Sequence, residues 1–397
     1  MQRKHLLALI AILLIAVMAL AACGGAPATE APKATKAPAA TEAPAATEAP
    51  AATEAPKPTE APKEEAVKPA DEIVIYNWSD YVAPEMYDKF KEETGIKVVE
   101  DNFSSNEDLL AKLQGGSTGY ALIVPSDYTA YIMIDQGMLE ELDHDNIPNL
   151  KNLDEQFTKM YYDPGNKYCV PYLWGTTGIG YNNQLLDTPP TSWEQIFKAK
   201  ESDPWYGRMT LLDDVREVFS AALIYLGYDN NSKDEAQLEE AKQLIIGAKK
   251  GVSGFDSDTY EDLVGSGENI LAHGWNGDFL QANDDYDGVI GYIMPKEGGT
   301  IWIDNICIPK GVSPEQKLAA EQYINFLLRP DVGAMLADYT YYASPNKAAI
   351  ATMDSDYTDN PIIFPPAEVR AKLHLIKPLG EFESVYQRMW DEIKSAQ

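Results

Sequence analysis

Apolar runs and amphipathic segments alternate along the chain between residues 72 and 126. The first run, residues 72–78, is rich in β-branched and aromatic residues, and the apolar residues of segment 84–93 then recur at helical spacing. A strand at 96–99, a helix at 106–114 and a strand at 121–126 repeat this pattern. Strands that alternate with helices at this spacing predict an α/β domain with a largely parallel sheet.

A second α/β pattern follows the first. A Gly- and Thr-rich segment at 172–182 is typical of a strand that crosses between the two patterns, and residues 302–308 predict the return crossing. Further strands are predicted at 208–213, 269–275 and 289–294, and further helices at 216–226, 238–249 and 314–328, with a mostly helical tail from residue 367. The chain beyond residue 71 is therefore expected to be α/β throughout.

Two predicted strands end in polar and aromatic groups. The strand ends read Asn77-Trp78-Ser79-Asp80-Tyr81 and Ser126-Asp127-Tyr128. Ligands of open α/β sheets bind at the carboxyl ends of the strands. These two strand ends therefore indicate a binding site with aromatic, hydroxyl and carboxylate groups.

The first 23 residues have the pattern of a secretory signal peptide. Arg3 and Lys4 precede an uncharged apolar run at 6–20, which is too short for an ordinary membrane span. The run ends in Leu20-Ala21-Ala22-Cys23-Gly24, which resembles the bacterial lipobox. This resemblance implies acylation of Cys23 and a lipid anchor in the cell membrane. The alternative is a plain signal peptide cleaved near Ala22.

Residues 24–70 consist mainly of Ala, Pro, Thr, Glu and Lys, with a repeat of six residues. Because the segment has almost no large apolar side chain, it cannot build a core, and we expect a disordered spacer. An O-glycosylated stalk has the same composition and remains an alternative.

The net charge lies entirely beyond this spacer. The chain has 62 acidic and 32 basic residues, for a formal charge of −30. Residues 1–70 hold seven of each sign, so 55 acidic and 25 basic residues fall in 71–397. So acidic a module repels a phosphate backbone, and nucleic acid is not an expected partner.

Seven segments of the module match one known family in order. They are Tyr76-Asn77-Trp78-Ser79-Asp80-Tyr81, Glu93-Thr94-Gly95-Ile96-Lys97-Val98, Val124-Pro125-Ser126, Pro171-Tyr172-Leu173-Trp174-Gly175-Thr176-Thr177-Gly178-Ile179-Gly180-Tyr181-Asn182, Asp213-Asp214-Val215-Arg216-Glu217-Val218-Phe219, Pro295-Lys296-Glu297-Gly298-Gly299 and Asn325-Phe326-Leu327-Leu328-Arg329-Pro330-Asp331-Val332. In this order they resemble the periplasmic polyamine-binding proteins, the substrate receptors of ATP-driven spermidine and putrescine importers.

This resemblance covers essentially all of residues 71–397 and implies a two-lobed periplasmic binding protein fold of type II. Each lobe is expected to be a mixed, largely parallel sheet flanked by helices. Lobe 1 is expected at 71–176 and 303–351, and lobe 2 at 177–302 and 352–397, with strands crossing between them. The polyamine is expected in the cleft between the lobes.

A polyamine site needs carboxylates for the separated ammonium groups and aromatic walls for the methylenes and for cation–π contact. By motif matching, the resemblance implies the ligand residues Trp78, Ser79, Asp80, Tyr81, Ser126, Tyr128, Asp214, Glu217, Ser257, Trp275, Asp278, Trp302, Asp304 and Tyr342. Asp304 is expected to be the central ammonium clamp, with Trp275 and Trp302 forming a hydrophobic box. Taken without the resemblance, the two Trp residues indicate a core, and Asp214 with Glu217 indicates a helix start.

The expected ligand residues combine two branches of the family. Tyr128, Asp214 and Trp302 resemble the spermidine-preferring branch, whereas Asp80, Asp278 and residues 375–376 resemble the putrescine-preferring branch. The number of acids favours a ligand with more than one ammonium. We expect spermidine or putrescine to bind in the micromolar range or tighter, with spermidine slightly preferred.

The resemblance implies a receptor and not an enzyme. Capture of the amine, closure of the lobes and recognition by a membrane permease are the expected steps. No cofactor and no metal are expected, and the protein is expected to be an extracytoplasmic monomer held by the lipid on Cys23. A receptor for a sugar or a metal, or a carboxylate-based glycosidase, remains an alternative. The acidic segments 256–258 and 283–288 match calcium loops only incompletely.

Cys169 and Cys307 remain after Cys23 is assigned to lipidation. Both lie near the predicted crossing strands, so a disulfide between them is compatible with an exported protein. The sequence favours two buried thiols over this bond.

Overall fold

The computed structural model describes residues 67–116 and 119–396. The expected signal peptide with Cys23, and the expected spacer up to residue 66, lie outside these residues. Within the described ranges, no helix combines the length and the apolar character needed to cross a bilayer.

Ten strands form one mixed sheet within the described part of the chain. They are β1 (Glu72–Asn77), β2 (Lys97–Asn102), β3 (Leu122–Ile123), β4 (Cys169–Asn182), β5 (Met209–Leu211), β6 (Gly254–Phe255), β7 (Leu271–Trp275), β8 (Ile290–Ile293), β9 (Gly299–Cys307) and β10 (Leu373–Leu375). The order along the sheet is β2-β1-β3-β9-β4-β7-β5-β6, with β8 paired to β4 and β10 paired to β9.

Fourteen α-helices accompany the sheet in the described residues. They are α1 (Pro84–Thr94), α2 (Asn106–Gln114), α3 (Asp127–Asp135), α4 (Glu194–Phe197), α5 (Val215–Leu226), α6 (Glu235–Ala248), α7 (Tyr260–Gly265), α8 (Asn276–Ala282), α9 (Pro314–Leu327), α10 (Pro330–Thr340), α11 (Lys347–Ile350), α12 (Ser355–Thr358), α13 (Ala367–Arg370) and α14 (Glu383–Ser395). The five helices predicted up to residue 328 are all present, because apolar residues recur at helical spacing in each of them. Helix α5 is buried all around over residues 215–224.

Two long antiparallel strands connect the two ends of the sheet. β1 pairs in parallel with β2 and β3 at one end, and β5 pairs in parallel with β6 and β7 at the other. β4 and β9 lie between these parallel groups and pair from Cys169 opposite Cys307 to Thr177 opposite Thr300. The predicted α/β class is confirmed, and β4 and β9 are the predicted crossing strands.

Two large hydrophobic clusters lie at the two ends of β4. One contains Phe90, Leu173 and Tyr323, and the other contains Ile179 and Phe219. The side chain of Trp275 packs against both clusters. The expected lobe boundaries, 71–176 with 303–351 and 177–302 with 352–397, stay a prediction.

The tail departs from the mostly helical prediction. Residues Leu373–Leu375 form β10, which pairs in parallel with Gly299–Ile301 of β9. This pairing gives hydrogen-bond partners to the side of β9 that β4 does not cover, and an isolated tail sequence carries no signal for such a distant partner.

The preference for two separate thiols is wrong. Cys169 on β4 and Cys307 on β9 are direct cross-strand partners and form a disulfide, with Cα atoms 4.4 Å apart. The register between the two strands decides this pairing, and the register follows from long-range contacts that the local sequence does not contain.

Candidate functional site

A central cavity lies between the two hydrophobic clusters. It encloses about 600 Å³, its open mouth included. It is lined by thirteen of the fourteen predicted ligand residues, namely Trp78, Ser79, Tyr81, Ser126, Tyr128, Asp214, Glu217, Ser257, Trp275, Asp278, Trp302, Asp304 and Tyr342. The fold therefore brings together, in one cavity, residues that are up to 264 positions apart in the sequence.

The ends of the strands position most of these side chains. Trp78 to Tyr81 follow β1, and Ser126 stands immediately before α3. Asp214 follows β5, and Trp275 ends β7. This arrangement agrees with the rule that α/β sheets bind ligands at the carboxyl ends of their strands.

Asp304 is buried and accepts two hydroxyl hydrogen bonds. Tyr81 Oη donates to Asp304 Oδ2 at 2.8 Å, and Ser126 Oγ donates to Oδ1 at 2.6 Å. The side-chain amide of Asn106 in turn donates to Ser126 Oγ at 2.9 Å and accepts the Ser126 N–H at 2.9 Å. Burial raises the pKa of Asp304 to about 7, although both hydroxyls oppose this shift.

Asp278 is half-buried and also accepts two hydroxyl hydrogen bonds. Its carboxylate accepts hydrogen bonds from Tyr260 Oη, at 2.6 Å, and from Tyr342 Oη. Burial raises the pKa of Asp278 to about 6, and the two tyrosine hydroxyls oppose the shift. Neither hydroxyl carries a positive charge, so neither one neutralises the ionised carboxylate.

Asp214 and Glu217 lie together at the start of α5. The Asp214 carboxylate caps the helix by accepting the N–H groups of Arg216 and Glu217, both at 2.9 Å. Glu217 accepts hydroxyl hydrogen bonds from Thr177, at 2.9 Å, and from Thr300, at 2.6 Å. Burial raises the pKa of Asp214 to about 6 and that of Glu217 to about 8. Asp214 is thus both the helix cap and a cavity residue.

Aromatic rings form the walls of the cavity. The ring centres of Trp78 and Trp275 are 5.6 Å apart, and those of Trp302 and Tyr342 are 5.1 Å apart. Both pairs meet edge to face. The Trp302 indole N–H also donates to Thr177 Oγ1 at 3.2 Å, which fixes the ring beside Glu217. Flat apolar faces of this kind can cover methylene groups and attract a cation.

Four of the five carboxylates that line the cavity lie in its interior and have no ion-pair partner among the described residues. Among the ion pairs formed by the described residues, none includes Asp214, Glu217, Asp278 or Asp304. Arg216 follows Asp214 closely, but its guanidinium pairs with Glu383 at 3.0 Å. Because a buried carboxylate without a counter-charge is costly, this cavity favours a ligand with several positive charges.

Asp80 is the one predicted ligand residue that does not line the cavity. Its backbone has a φ of 53°, in the left-handed region, and its carbonyl oxygen accepts the Gln281 amide at 3.4 Å. Asp127, in the second of the two polar strand ends, is buried and does not line the cavity either. A match to a sequence motif identifies the residue type but does not determine the direction in which its side chain points.

Four lining residues were not predicted as ligand residues. They are Phe103, Asn106, Asp258 and Ile376. Asn106 begins α2 and Asp258 lies in a polar turn, and both positions have ordinary structural explanations in the sequence. Phe103 packs against Trp78, with ring centres 4.5 Å apart. Nothing in the local sequence distinguishes Phe103, Asn106 and Asp258 from core, capping or turn residues, whereas Ile376 lies in the stretch 375–376 that resembles the putrescine-preferring branch.

A family model for bacterial extracellular solute-binding proteins matches residues 85–365. This chain belongs to that family. The match contains most residues of both hydrophobic clusters and most of the residues that line the central cavity. Members of this family are solute-binding proteins that act outside the cytoplasm.

Several proteins of similar sequence are named as polyamine-binding proteins. The chain is 39% identical to the putrescine-binding periplasmic protein of Escherichia coli over 337 residues, which is 81% of this chain and 90% of that protein. It is 34% identical to the spermidine/putrescine-binding periplasmic protein of Salmonella typhimurium over 327 residues, 82% of this chain and 92% of that protein. These names do not favour the sugar, metal or glycosidase alternatives.

A solved structure supports the fold assignment. The spermidine/putrescine ABC transporter substrate-binding protein of Streptococcus pneumoniae is 31% identical, with a TM-score of 0.66, and the alignment covers 82% of this chain and 99% of that chain. The chain therefore has the type II periplasmic binding protein fold.

Proposed function

We propose that this protein is an extracytoplasmic receptor that binds a polyamine, spermidine or putrescine, and delivers it to the permease of an ABC importer. The observation that carries the proposal is a set of four carboxylates, three buried and Asp278 half-buried, that form no ion pair with any described residue and lie in a cavity walled by Trp and Tyr. The polyamine names of the similar proteins support the same ligand class.

The chemistry of a polyamine complements this cavity. Each ammonium group donates several hydrogen bonds, and ionised carboxylates are its strongest acceptors. Asp304 and Asp278 would take one ammonium, and Asp214 with Glu217 would take another. Trp78, Trp275 and Trp302, together with Tyr342, would cover the methylene groups between the charges.

Closure between the lobes would follow ligand capture. The proposed lobes are 71–176 with 303–351 and 177–302 with 352–397, and β4 and β9 would provide the hinge. The permease would recognise the closed form. The receptor would act as a monomer, without enzymatic activity, anchored by the lipid on Cys23 and free to move on the spacer at 24–70.

Isothermal titration calorimetry with spermidine and with putrescine tests the proposal. We expect the chain without its signal peptide, residues 24–397, to bind at least one of the two amines in the micromolar range or tighter. Asp304→Asn keeps the shape of the side chain but removes its charge. We expect it to weaken binding about 10- to 100-fold, the value of a charge-assisted hydrogen bond.

Asp338→Asn is the matched control, because Asp338 is exposed and does not line the central cavity. It should leave both affinities within about twofold, since an exposed charge contributes little. Absence of binding heat with both amines, or equal losses in the two variants, would refute the proposal.

A further inference from the structure

Asp258 lies at the mouth of the central cavity, where a second cavity begins. The two cavities share Ser257 and Asp258. The second cavity encloses about 800 Å³, including open solvent, and its acidic lining residues are Glu107, Asp108, Asp213, Asp256 and Asp258. The polar path from the central cavity thus continues past Asp258 toward the surface.

The Asp258 carboxylate accepts only long hydrogen bonds from the described residues. It is exposed, and both of its oxygens accept from a single hydroxyl, Ser104 Oγ, at 3.2 and 3.3 Å. Among the described residues, no Lys, Arg or His forms an ion pair with it. Its charge is therefore available to a cation that leaves the central cavity.

Three residues that line the second cavity already contact an alkylammonium group of the protein itself. Lys394 Nζ pairs with the Asp213 carboxylate and lies 5.2 Å from the centre of the Phe255 ring and 5.5 Å from that of Trp390. Asp213, Phe255 and Trp390 all line the second cavity. An ammonium between a carboxylate and aromatic faces is thus stable in this part of the molecule.

We infer that Asp258 determines selectivity by binding the outermost ammonium of polyamines that carry three or more charges. The inference rests on the proposed function. The four interior carboxylates of Asp214, Glu217, Asp278 and Asp304 suffice for both charges of a diamine, so a diamine does not need Asp258. A longer amine extends its last ammonium through the mouth, where Asp258 is the carboxylate that both cavities share.

Titration calorimetry with spermidine, a triamine, and putrescine, a diamine, tests this inference on residues 24–397. We expect Asp258→Asn to raise the Kd for spermidine about three- to fivefold, the upper part of the range for an exposed ion pair, and to change that for putrescine less than about twofold. Asp258→Glu keeps the charge and should keep the preference for the triamine. Asp262→Asn removes an exposed acid four residues away, outside the cavity lining, and should leave both values unchanged.

The Ser104→Ala variant distinguishes ligand binding by Asp258 from a role in which Asp258 only forms a hydrogen bond with Ser104. If Asp258 served only to hold Ser104 across the cleft, Ser104→Ala would reproduce the effect of Asp258→Asn on both amines. Any of three results would overturn the inference and leave the proposed function intact. They are the same effect in Ser104→Ala, an equal loss for both amines in Asp258→Asn, and no change in Asp258→Asn. Failure of the unaltered chain to bind either amine would instead overturn the proposed function, and this inference with it.

Discussion

At the scale of single residues, the main feature is the cost of the unpaired acids. Asp214, Glu217, Asp278 and Asp304 all have raised pKa values because burial disfavours their ionised forms. Hydroxyl hydrogen bonds to Glu217, Asp278 and Asp304, and backbone N–H groups at Asp214, reduce this cost but are themselves uncharged. The site is thus built at the expense of stability in the unliganded protein, and a polycation would restore that stability.

We predict that the unliganded protein becomes less stable as the pH rises from 6.5 to 8. Burial raises the pKa of Asp304 to about 7 and that of Glu217 to about 8, so the folded state holds protons that the unfolded state has already released. The free energy of unfolding therefore falls with rising pH up to these values. His273, whose pKa burial lowers to about 3, acts in the opposite direction but only below about pH 6.5, the ordinary histidine value.

Thermal unfolding at the two pH values measures this effect. The Tm should be lower at pH 8, and spermidine should reduce the difference because it binds the ionised carboxylates. Asp304→Asn should have a smaller pH dependence than the unaltered chain. A Tm that is constant or rises between pH 6.5 and pH 8 would contradict the raised pKa values of the Asp304 and Glu217 carboxyl groups.

The sequence predicted most of the lining residues, although not from local chemistry. Thirteen of the fourteen predicted residues line the cavity. The prediction succeeded because the order of the motifs matched the family, and the match identified the ligand positions. Asp80 was included on the same basis, but its left-handed backbone and the contact of its carbonyl with Gln281 place it outside the lining. Asp258 was missed because an acid in a turn is usually a solvated residue.

At the scale of elements, the pairing of β4 with β9 positions the aromatic wall. Gly175 on β4 is opposite Trp302 on β9. A Cβ atom at Gly175 would lie 2.6 Å from the Trp302 ring and 2.7 Å from Asn276 Oδ1. The missing side chain therefore creates the space in which the indole reaches the cavity.

We predict that Gly175→Ala weakens polyamine binding about five- to tenfold and lowers the Tm, because overpacking displaces Trp302 at a cost of roughly 1–3 kcal/mol. Gly247→Ala is the control, since a Cβ there has no neighbour within 4 Å and the residue lies in helix α6. That change should leave binding unaltered and keep or raise the Tm. Equal behaviour of the two variants in calorimetry and thermal unfolding would contradict this role for Gly175.

Elements with strong local patterns were predictable, and elements that depend on distant partners were not. The five predicted helices between residues 84 and 328 follow from apolar spacing, and α5 also begins after an Asp cap and ends before Gly227. Strand β10 and the bond between Cys169 and Cys307 depend on the position and register of β9. Register is a property of the assembled sheet, so local propensity does not specify it.

At the scale of the whole molecule, the charge of −30 agrees with the site. It lies wholly beyond residue 70, in the module that contains the central cavity. A negative field raises the local concentration of a polycation and its rate of capture, and salt screens this effect. Most of the acids lie outside the cavity, so their contribution is to encounter and solubility, whereas the buried carboxylates would provide specificity.

A crystal structure of residues 24–397 with bound spermidine tests the central claim most directly. The account predicts an ammonium nitrogen within about 3 Å of an Asp304 carboxylate oxygen, and methylene groups against Trp275 and Trp302. Spermidine bound outside the central cavity, or bound there without contact to Asp214, Glu217, Asp278 or Asp304, would contradict it.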